Sequence, residues 1–118
     1  MPRIADFAVI TDTKFSINNL PGGDSDREFD FTLDGPHVGS RSVLYFVLFV
    51  LDGCGFQVSI NGHPQLNYQF SGRTVITLHE VIGSNVLKAG TNSIEFKIIS
   101  GLGKLEFGDA VLFYQRDI

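Results

Sequence analysis

The stretch from Phe56 to Phe96 constrains the fold of this chain more than any other. Apolar and polar residues alternate from Phe56 to Ile60, and an Asn61-Gly62 pair follows at once. Because both positions of such a pair tolerate positive φ, Asn-Gly after an alternating segment predicts a two-residue β-hairpin. Alternation continues from Arg73 to Leu78 and resumes from Ser93 to Ile99. The stretch therefore predicts short antiparallel strands joined by tight turns.

The rest of the chain repeats this period-two pattern, and helical periodicity is almost absent. A helical turn is expected at one place, His79 to Ala89. A break at Gly108-Asp109 predicts a β-bulge near the end of the chain. Further candidate strands are residues 4–10, 14–17, 28–33, 67–70, 104–107 and 109–115. We therefore predict an all-β fold, an antiparallel two-sheet β-sandwich or jelly roll of about eight strands, with little or no helix, as a single domain over residues 1–118.

The segment from Val43 to Leu51 departs from simple alternation because all nine of its residues are apolar. A strand with two apolar faces must be covered on both sides. In a two-layer sandwich the other sheet covers one face, so a loop, a short helix or another subunit is needed for the second. The third of these alternatives, another subunit, would make the protein a homo-oligomer.

Composition excludes several classes of protein. Nine Lys and Arg residues are scattered and the net charge is -4, so no basic patch favours nucleic acid. The longest apolar run has nine residues, whereas a membrane-spanning helix needs about 20. The N-terminus lacks the apolar core of a secretory signal, so the chain as written is cytoplasmic, with its true localisation open. Cys54 is the sole cysteine, which excludes an intrachain disulfide.

Three segments between Arg41 and Tyr114 carry a resemblance to a known family. They are VLYFVLFVL, then VSING, then LKAGTNSI, with Leu87, Gly90, Asn92 and Ile94 in the last, and FGDAVLFY closes the series. This order resembles the galactose-binding-domain-like superfamily of jelly rolls. It is similar in particular to the sugar-binding domains of β-galactosidase and β-glucuronidase relatives and to related carbohydrate-binding modules. The resemblance implies a jelly roll and a carbohydrate ligand.

Some members of that superfamily hold a structural calcium through acidic residues near both ends of the chain. The resemblance places Asp109 where a C-terminal ligand would fall, and Asp6 and Asp12 are the N-terminal candidates. Calcium takes six or more oxygen ligands, and the sequence provides no clear acidic partner near its N-terminus. The metal content is thus left undetermined, and no other cofactor is predicted.

Four residues around the Asn-Gly hairpin have the chemistry of a sugar site: His63, Asn67, Tyr68 and Arg73. Planar amide and guanidinium groups meet pairs of sugar hydroxyls, and an aromatic ring packs against the apolar face of a sugar. The alternative is an ordinary hairpin tip with a polar surface. Trp, which often provides the stacking surface, is absent from the sequence.

Other candidate sites are better explained by structure. The acidic residues Asp24, Asp26, Glu28 and Asp30 share one face of an extended strand, where they favour a solvated edge over a cation site. His79 and Glu80 are adjacent, so on a strand they point to opposite faces and do not form a catalytic pair. Cys54 is expected to be a small buried hydrophobe. His37, in a loop, could join any site, but the three histidines lack the spacing of zinc ligands.

No catalytic residues are predicted, and the chain is not expected to be an enzyme. We predict a non-catalytic, lectin-like carbohydrate-binding domain. The alternative is a structural or protein-interaction β-sandwich module, including a self-associating subunit of a larger assembly. The predicted partner is accordingly a carbohydrate or another protein.

Overall fold

The computed structural model describes residues 3–36 and 41–117, and nine strands lie within them. In chain order they are β1 (Arg3–Thr11), β2 (Phe15–Asn18), β3 (Asp26–Leu33), β4 (Ser42–Asp52), β5 (Gly55–Ile60), β6 (His63–Gln69), β7 (Thr74–Ile82), β8 (Gly90–Ser100) and β9 (Lys104–Asp117). The described residues contain no helix, hence none with the length and hydropathy needed to cross a membrane. The prediction of an antiparallel two-sheet β-sandwich is confirmed.

The first sheet, called sheet A here, has the order β1-β9-β4-β7, and β2 also pairs with β9. All its pairings are antiparallel. The long strand β9 lies between the N-terminal strands on one side and β4 on the other. Sheet B has the order β3-β8-β5-β6, again antiparallel throughout. Consequently β7 is an edge strand of sheet A, and β6 is an edge strand of sheet B.

A cluster of phenylalanine rings joins the two sheets. Phe107 of sheet A stacks on Phe15, with ring centroids 4.8 Å apart. It also contacts Phe96 of sheet B at 5.0 Å and Phe56 at 5.9 Å. These rings and Phe46 are buried. Aromatic pairs in such tilted and stacked arrangements add to the stabilisation from burial alone, so this cluster anchors the sandwich.

Two local predictions differ from the structure. The segment from His79 to Ile82 continues β7 as a strand, and Gly83 to Ala89 forms an irregular turn in place of the predicted helical turn. The two predicted C-terminal strands are one strand, β9, whose pairing with β4 shifts register between Phe46 and Leu48. The predicted bulge is therefore present, but it bends a strand and does not end it.

The central strand β4 has one buried face and one half-buried face. Leu44, Phe46 and Leu48 point into the core and are fully buried. The opposite face lies on the outer side of sheet A and is only half-buried. It consists of every second residue from Val43 to Leu51. Its neighbours on that side, such as Phe113 and Val81, are exposed. Within the described residues neither a loop nor a helix buries this second apolar face.

Candidate functional site

The Asn-Gly pair forms the hairpin between β5 and β6. Asn61 has a φ of 51° and Gly62 a φ of 82°, so both lie in the left-handed region that a two-residue turn of this kind requires. Ile60 pairs with His63 across the turn. The hairpin prediction is confirmed, and the turn leaves the Asn61 side chain able to face the neighbouring loop.

Asn61 and Asn92 connect this hairpin to the loop before β8. The Asn61 amide nitrogen donates to the Asn92 side-chain oxygen at 2.9 Å and to the Val86 carbonyl at 2.9 Å. The Ser93 backbone N–H donates to the Asn61 side-chain oxygen at 2.9 Å. Asn92, only 1% exposed, also accepts from the Lys88 N–H at 3.0 Å. The asparagines of the VSING and LKAGTN segments therefore satisfy backbone groups, which is a structural role.

The four residues predicted to contact a sugar lie at different places. His63 is exposed at the start of β6, and Arg73 is exposed just before β7. The intervening strand of seven residues spans about 20 Å. Asn67 is exposed on the outer side of sheet B, where it pairs with Gln57. A single small sugar could not contact both His63 and Arg73.

Tyr68 points inward from β6. Its ring stacks on those of Phe56 and Phe70, each with centroids 6.0 Å away, and its hydroxyl donates to the Glu80 carboxylate on β7. This hydrogen bond crosses from sheet B to sheet A at the lateral edge of the sandwich. With its ring faces and its hydroxyl so engaged, Tyr68 is better placed to close that edge than to stack on a ligand.

Arg73 lies at an open cavity of about 300 Å³ at one end of sheet A. The lining is mainly apolar and comes from the ends of β4 and β7: Phe49, Val50, Leu51, Arg73, Thr74 and Val75. Phe49 and Val75 are directly opposite each other in the β4–β7 pairing. The cavity thus combines an aromatic ring, aliphatic side chains and one guanidinium group.

Two more charged side chains lie beside the Phe49 ring. The Lys14 ammonium is 5.8 Å from the ring centroid and forms an ion pair of 3.1 Å with Glu106. Glu106 is opposite Phe49 in the β9–β4 pairing. The cavity therefore has a mainly apolar lining, with the positive charges of Arg73 and Lys14 and the negative charge of Glu106 near it. Apolar linings with a few polar groups are common in small-ligand sites. Phe49 was not among the predicted contacts, because sequence alone does not show which strand pairs with β4.

The outer face of sheet B is polar. Asp26, Lys97, Gln57 and Asn67 are neighbours across its four strands. Glu28 is opposite Glu95 in the next row on the same face. The acidic residues of β3 lie on an edge strand and are exposed, as expected for a solvated edge that discourages pairing with other chains.

The remaining candidates have structural surroundings. His79 packs its ring against Tyr45 at 4.9 Å on the outer face of sheet A, whereas Glu80 on the opposite face accepts from Tyr68. Cys54 is fully buried, and burial, with a smaller contribution from Asp52, raises the pKa of its thiol. Both predictions are confirmed. His37 lies outside the described residues.

The proposed calcium ligands do not gather into one site. Asp6 forms an ion pair of 3.2 Å with Arg116, and Asp12 accepts from the Thr13 hydroxyl at 3.4 Å. Asp109 is exposed on β9, near the bulge. Residues 3–36 and 41–117 contain no group of three or more His, Cys, Asp or Glu side chains that could hold a metal ion.

Sequence comparison identifies no relatives: no protein-family model matches the chain, and no curated protein matches it significantly. Structural comparison finds proteins with a similar fold. PorU from Porphyromonas gingivalis, in its dimeric latent form, matches 98% of this chain with a TM-score of 0.72 at 12% identity. A β-porphyranase of glycoside hydrolase family 86 from the gut bacterium Bacteroides plebeius matches 97% of it with a TM-score of 0.70 at 15% identity.

In both of these proteins the matched region is a minor part. This chain spans 13% of the length of PorU and 21% of that of the β-porphyranase. A family 35 carbohydrate-binding module from an environmental isolate matches over nearly its whole length: 93% of this chain and 90% of the module, with a TM-score of 0.54 at 16% identity. The chain therefore shares its sandwich fold with carbohydrate-binding modules and with parts of larger proteins, which confirms the predicted β-sandwich jelly roll as a fold.

Proposed function

We propose that this chain is a non-catalytic carbohydrate-binding domain whose ligand occupies the cavity between the ends of β4 and β7. The observation that carries the proposal is the position of Arg73. This residue, predicted from its chemistry to contact a sugar, lines a cavity together with Phe49. The fold shared with carbohydrate-binding modules supports the proposal, although one fold can host many functions.

The chemistry of the cavity suits both the apolar C–H face and the hydroxyl groups of a sugar ring. The apolar C–H face of a pyranose would pack against Phe49 and Val75, since aromatic rings stabilise such contacts. The guanidinium of Arg73 presents several N–H donors in a planar fork, which fits a pair of neighbouring hydroxyl oxygens. At about 300 Å³ the cavity lies at the lower end of the range for small-ligand sites. We therefore infer that it holds one end of a glycan.

A binding role without catalysis agrees with the surroundings of the reactive side chains. The buried Cys54 thiol has a raised pKa, which disfavours the nucleophilic thiolate. His79 and Glu80 point away from each other and neither lines the cavity. Of the residues predicted from the sequence to contact a sugar, Arg73 is part of this proposal because it lines the cavity. His63, Asn67 and Tyr68 do not line it, and their ligand roles stay predictions.

The test is a glycan array probed with the intact chain, followed by calorimetry of the best ligand with three variants. We expect Arg73→Ala and Phe49→Ala each to raise the Kd about tenfold or more, because each removes a contact with the ligand. Phe113→Ala is the matched control. It removes a phenylalanine from the outer face of the same sheet, outside the cavity, and is expected to change the Kd less than about twofold.

Two results would overturn the proposal. One is the absence of any glycan that binds at concentrations up to the millimolar range, with the folded state verified by circular dichroism. The other is a glycan whose Kd is unchanged by both cavity substitutions. In that second case a loss of binding in Asn67→Ala would move the site to the polar face of sheet B.

A second candidate function, a protein-interaction module, is favoured by a different observation. The outer side of sheet A exposes Phe7, Val81 and Phe113. Exposed apolar surfaces of this kind mark interaction sites in soluble proteins. The two functions are compatible, since the cavity occupies only one end of that sheet.

A further inference from the structure

The outer side of sheet A carries a grid of side chains across four strands that is apolar apart from His79 and the Tyr45 hydroxyl. Two complete rows run across β1, β9, β4 and β7, in each of which the side chains are direct neighbours in the strand pairing. We call this surface the apolar face; its two central rows are Phe7, Phe113, Val43 and Val81, then Val9, Val111, Tyr45 and His79.

Several of these side chains are about half exposed in the isolated chain. Phe7 is 59% exposed, Val81 54% and Phe113 46%. Phe7 and Phe113 also contact each other, with ring centroids 6.4 Å apart. Single exposed apolar residues are normal on protein surfaces, but a contiguous grid is not. The composition is that of a sheet face meant to be packed against another layer.

The size of the apolar face is that of a weak dimer. Its two central rows are flanked by Ala5 and Gln115 at one end and by Val47 and Thr77 at the other, which makes twelve side chains in all. At the usual spacings within and between strands these twelve cover about 400 Å². Two such faces together would bury about 800 Å², an area in the range of weak and transient interfaces.

The distribution of charge favours a second copy as the occupant. The two central rows contain no Asp, Glu, Lys or Arg. In a two-fold symmetric contact the same surface meets itself, so a face on which one sign of charge predominates repels its copy. The outer face of sheet B, with Glu28 opposite Glu95, would suffer such repulsion. With a net charge of -4 per chain, the uncharged face is the one suited to self-association.

We propose that two copies of this chain associate through their apolar faces, sheet against sheet, at the separation of about 10 Å usual for packed sheets. The contact covers the second apolar face of β4. Because the cavity with Phe49 and Arg73 lies beyond the Val47 row on β4, the dimer leaves that cavity open. The proposal does not depend on carbohydrate binding.

The experiment is sedimentation velocity of the intact chain between about 1 and 200 µM, a range that covers weak dimers of this size. We expect a concentration-dependent dimer. Phe113→Lys and Val81→Lys should each raise the dimer Kd about tenfold or more, because each dimer would then bury two uncompensated charges. Gln57→Lys is the matched control on the polar face of sheet B and should leave the Kd unchanged. Thermal unfolding followed by circular dichroism verifies that all variants are folded.

Two outcomes would overturn the proposal. If the chain is a monomer throughout this range, a second copy does not cover the face. In that case, hydrogen exchange of β1, β9 and β7 that slows on adding another protein would identify a different occupant. If the chain dimerises but Gln57→Lys disrupts the dimer while both sheet A variants do not, the interface lies on sheet B.

Discussion

The two outer faces of this sandwich have nearly opposite chemistry on similar backbones. The face of sheet B presents Asp26, Lys97, Gln57 and Asn67 in one row, so solvent can cover it. The face of sheet A presents aromatic and β-branched residues across all four of its main strands. The outer face of sheet B thus has the composition of a solvent-exposed surface, whereas the outer face of sheet A has the composition of a surface that packs against another layer.

This difference shows what hydrophobic alternation reports. In β3 and β8 polar residues occupy every outward position near the middle of the strand, and period-two patterning correctly predicts a wet face. In β4 the outward positions are apolar as well, so alternation is lost although the strand is equally regular. Loss of alternation in an antiparallel strand therefore predicts an outer surface that solvent alone covers poorly.

The largest expected effect compares the two sides of β4. Phe46→Ala should lower the free energy of unfolding by about 3–5 kcal/mol, because it empties a fully buried site within the phenylalanine cluster. Phe49→Ala on the outer side should lower it by about 1 kcal/mol, since that ring is only half-buried. Urea denaturation at low protein concentration measures both. Equal losses would mean that the outer side of β4 stabilises the folded monomer as much as the buried side does.

A smaller effect distinguishes a buried amide from one on the polar face. Asn92→Ala should lower the free energy of unfolding by about 1–3 kcal/mol, because Asn61 and the Lys88 N–H lose their partner. Asn67→Ala, the exposed counterpart on sheet B, should change it by less than about 0.5 kcal/mol. Chemical denaturation of both variants provides the measurement. A negligible effect of Asn92→Ala would contradict the structural role given to the LKAGTN segment.

The buried thiol provides a pH-dependent test of the core between the faces. Burial and Asp52 raise the pKa of Cys54 above its ordinary value of 9.0, so the folded state keeps a proton that the unfolded state loses. Stability is then fully present below pH 9.0 and declines as pH rises above it. Cys54→Ala should show a shallower decline in urea denaturation between about pH 8 and 10. The same slope in both proteins would show that the thiol does not contribute.

The smallest expected effect concerns charge pairs on the polar face. Glu95→Gln should raise the free energy of unfolding by about 0.2–1 kcal/mol at low salt, because it relieves repulsion from Glu28 directly opposite. Lys97→Gln should lower it by a similar amount, since Lys97 is opposite Asp26. Both changes should diminish in 1 M salt, where the Debye length falls to about 3 Å. Effects that persist at high salt would have to arise from packing.

Much of the fold could be predicted from the sequence because its determinants are local. The Asn61-Gly62 turn needs positive φ, and the alternation of β3 and β8 assigns their inward faces without reference to other strands. The segment after His79 was misassigned, because pairing with β4 keeps β7 extended where local propensity allowed a helical turn. Tertiary contacts outweighed a weak local preference.

The candidate site was less predictable because it depends on strand order. Arg73 and Phe49 are 24 residues apart in the sequence and meet only because β7 pairs with β4. His63 and Tyr68 are close to Arg73 in sequence. However, His63 lies at the far end of the extended strand β6, and the Tyr68 ring points inward and packs on Phe56. Proximity along the chain was therefore a poor guide to proximity in space.

The position of β9 has a consequence for how the chain folds. β9 is the most C-terminal of the described strands and pairs with β1, β2 and β4, so β1 and β2 cannot join sheet A until synthesis has passed residue 117. Closing such distant pairs is slow, and folding in milliseconds to seconds is expected for sandwiches of this kind. During that interval β4 lacks its β9 neighbour, and exposed apolar surface of this kind makes a partly folded chain prone to aggregation.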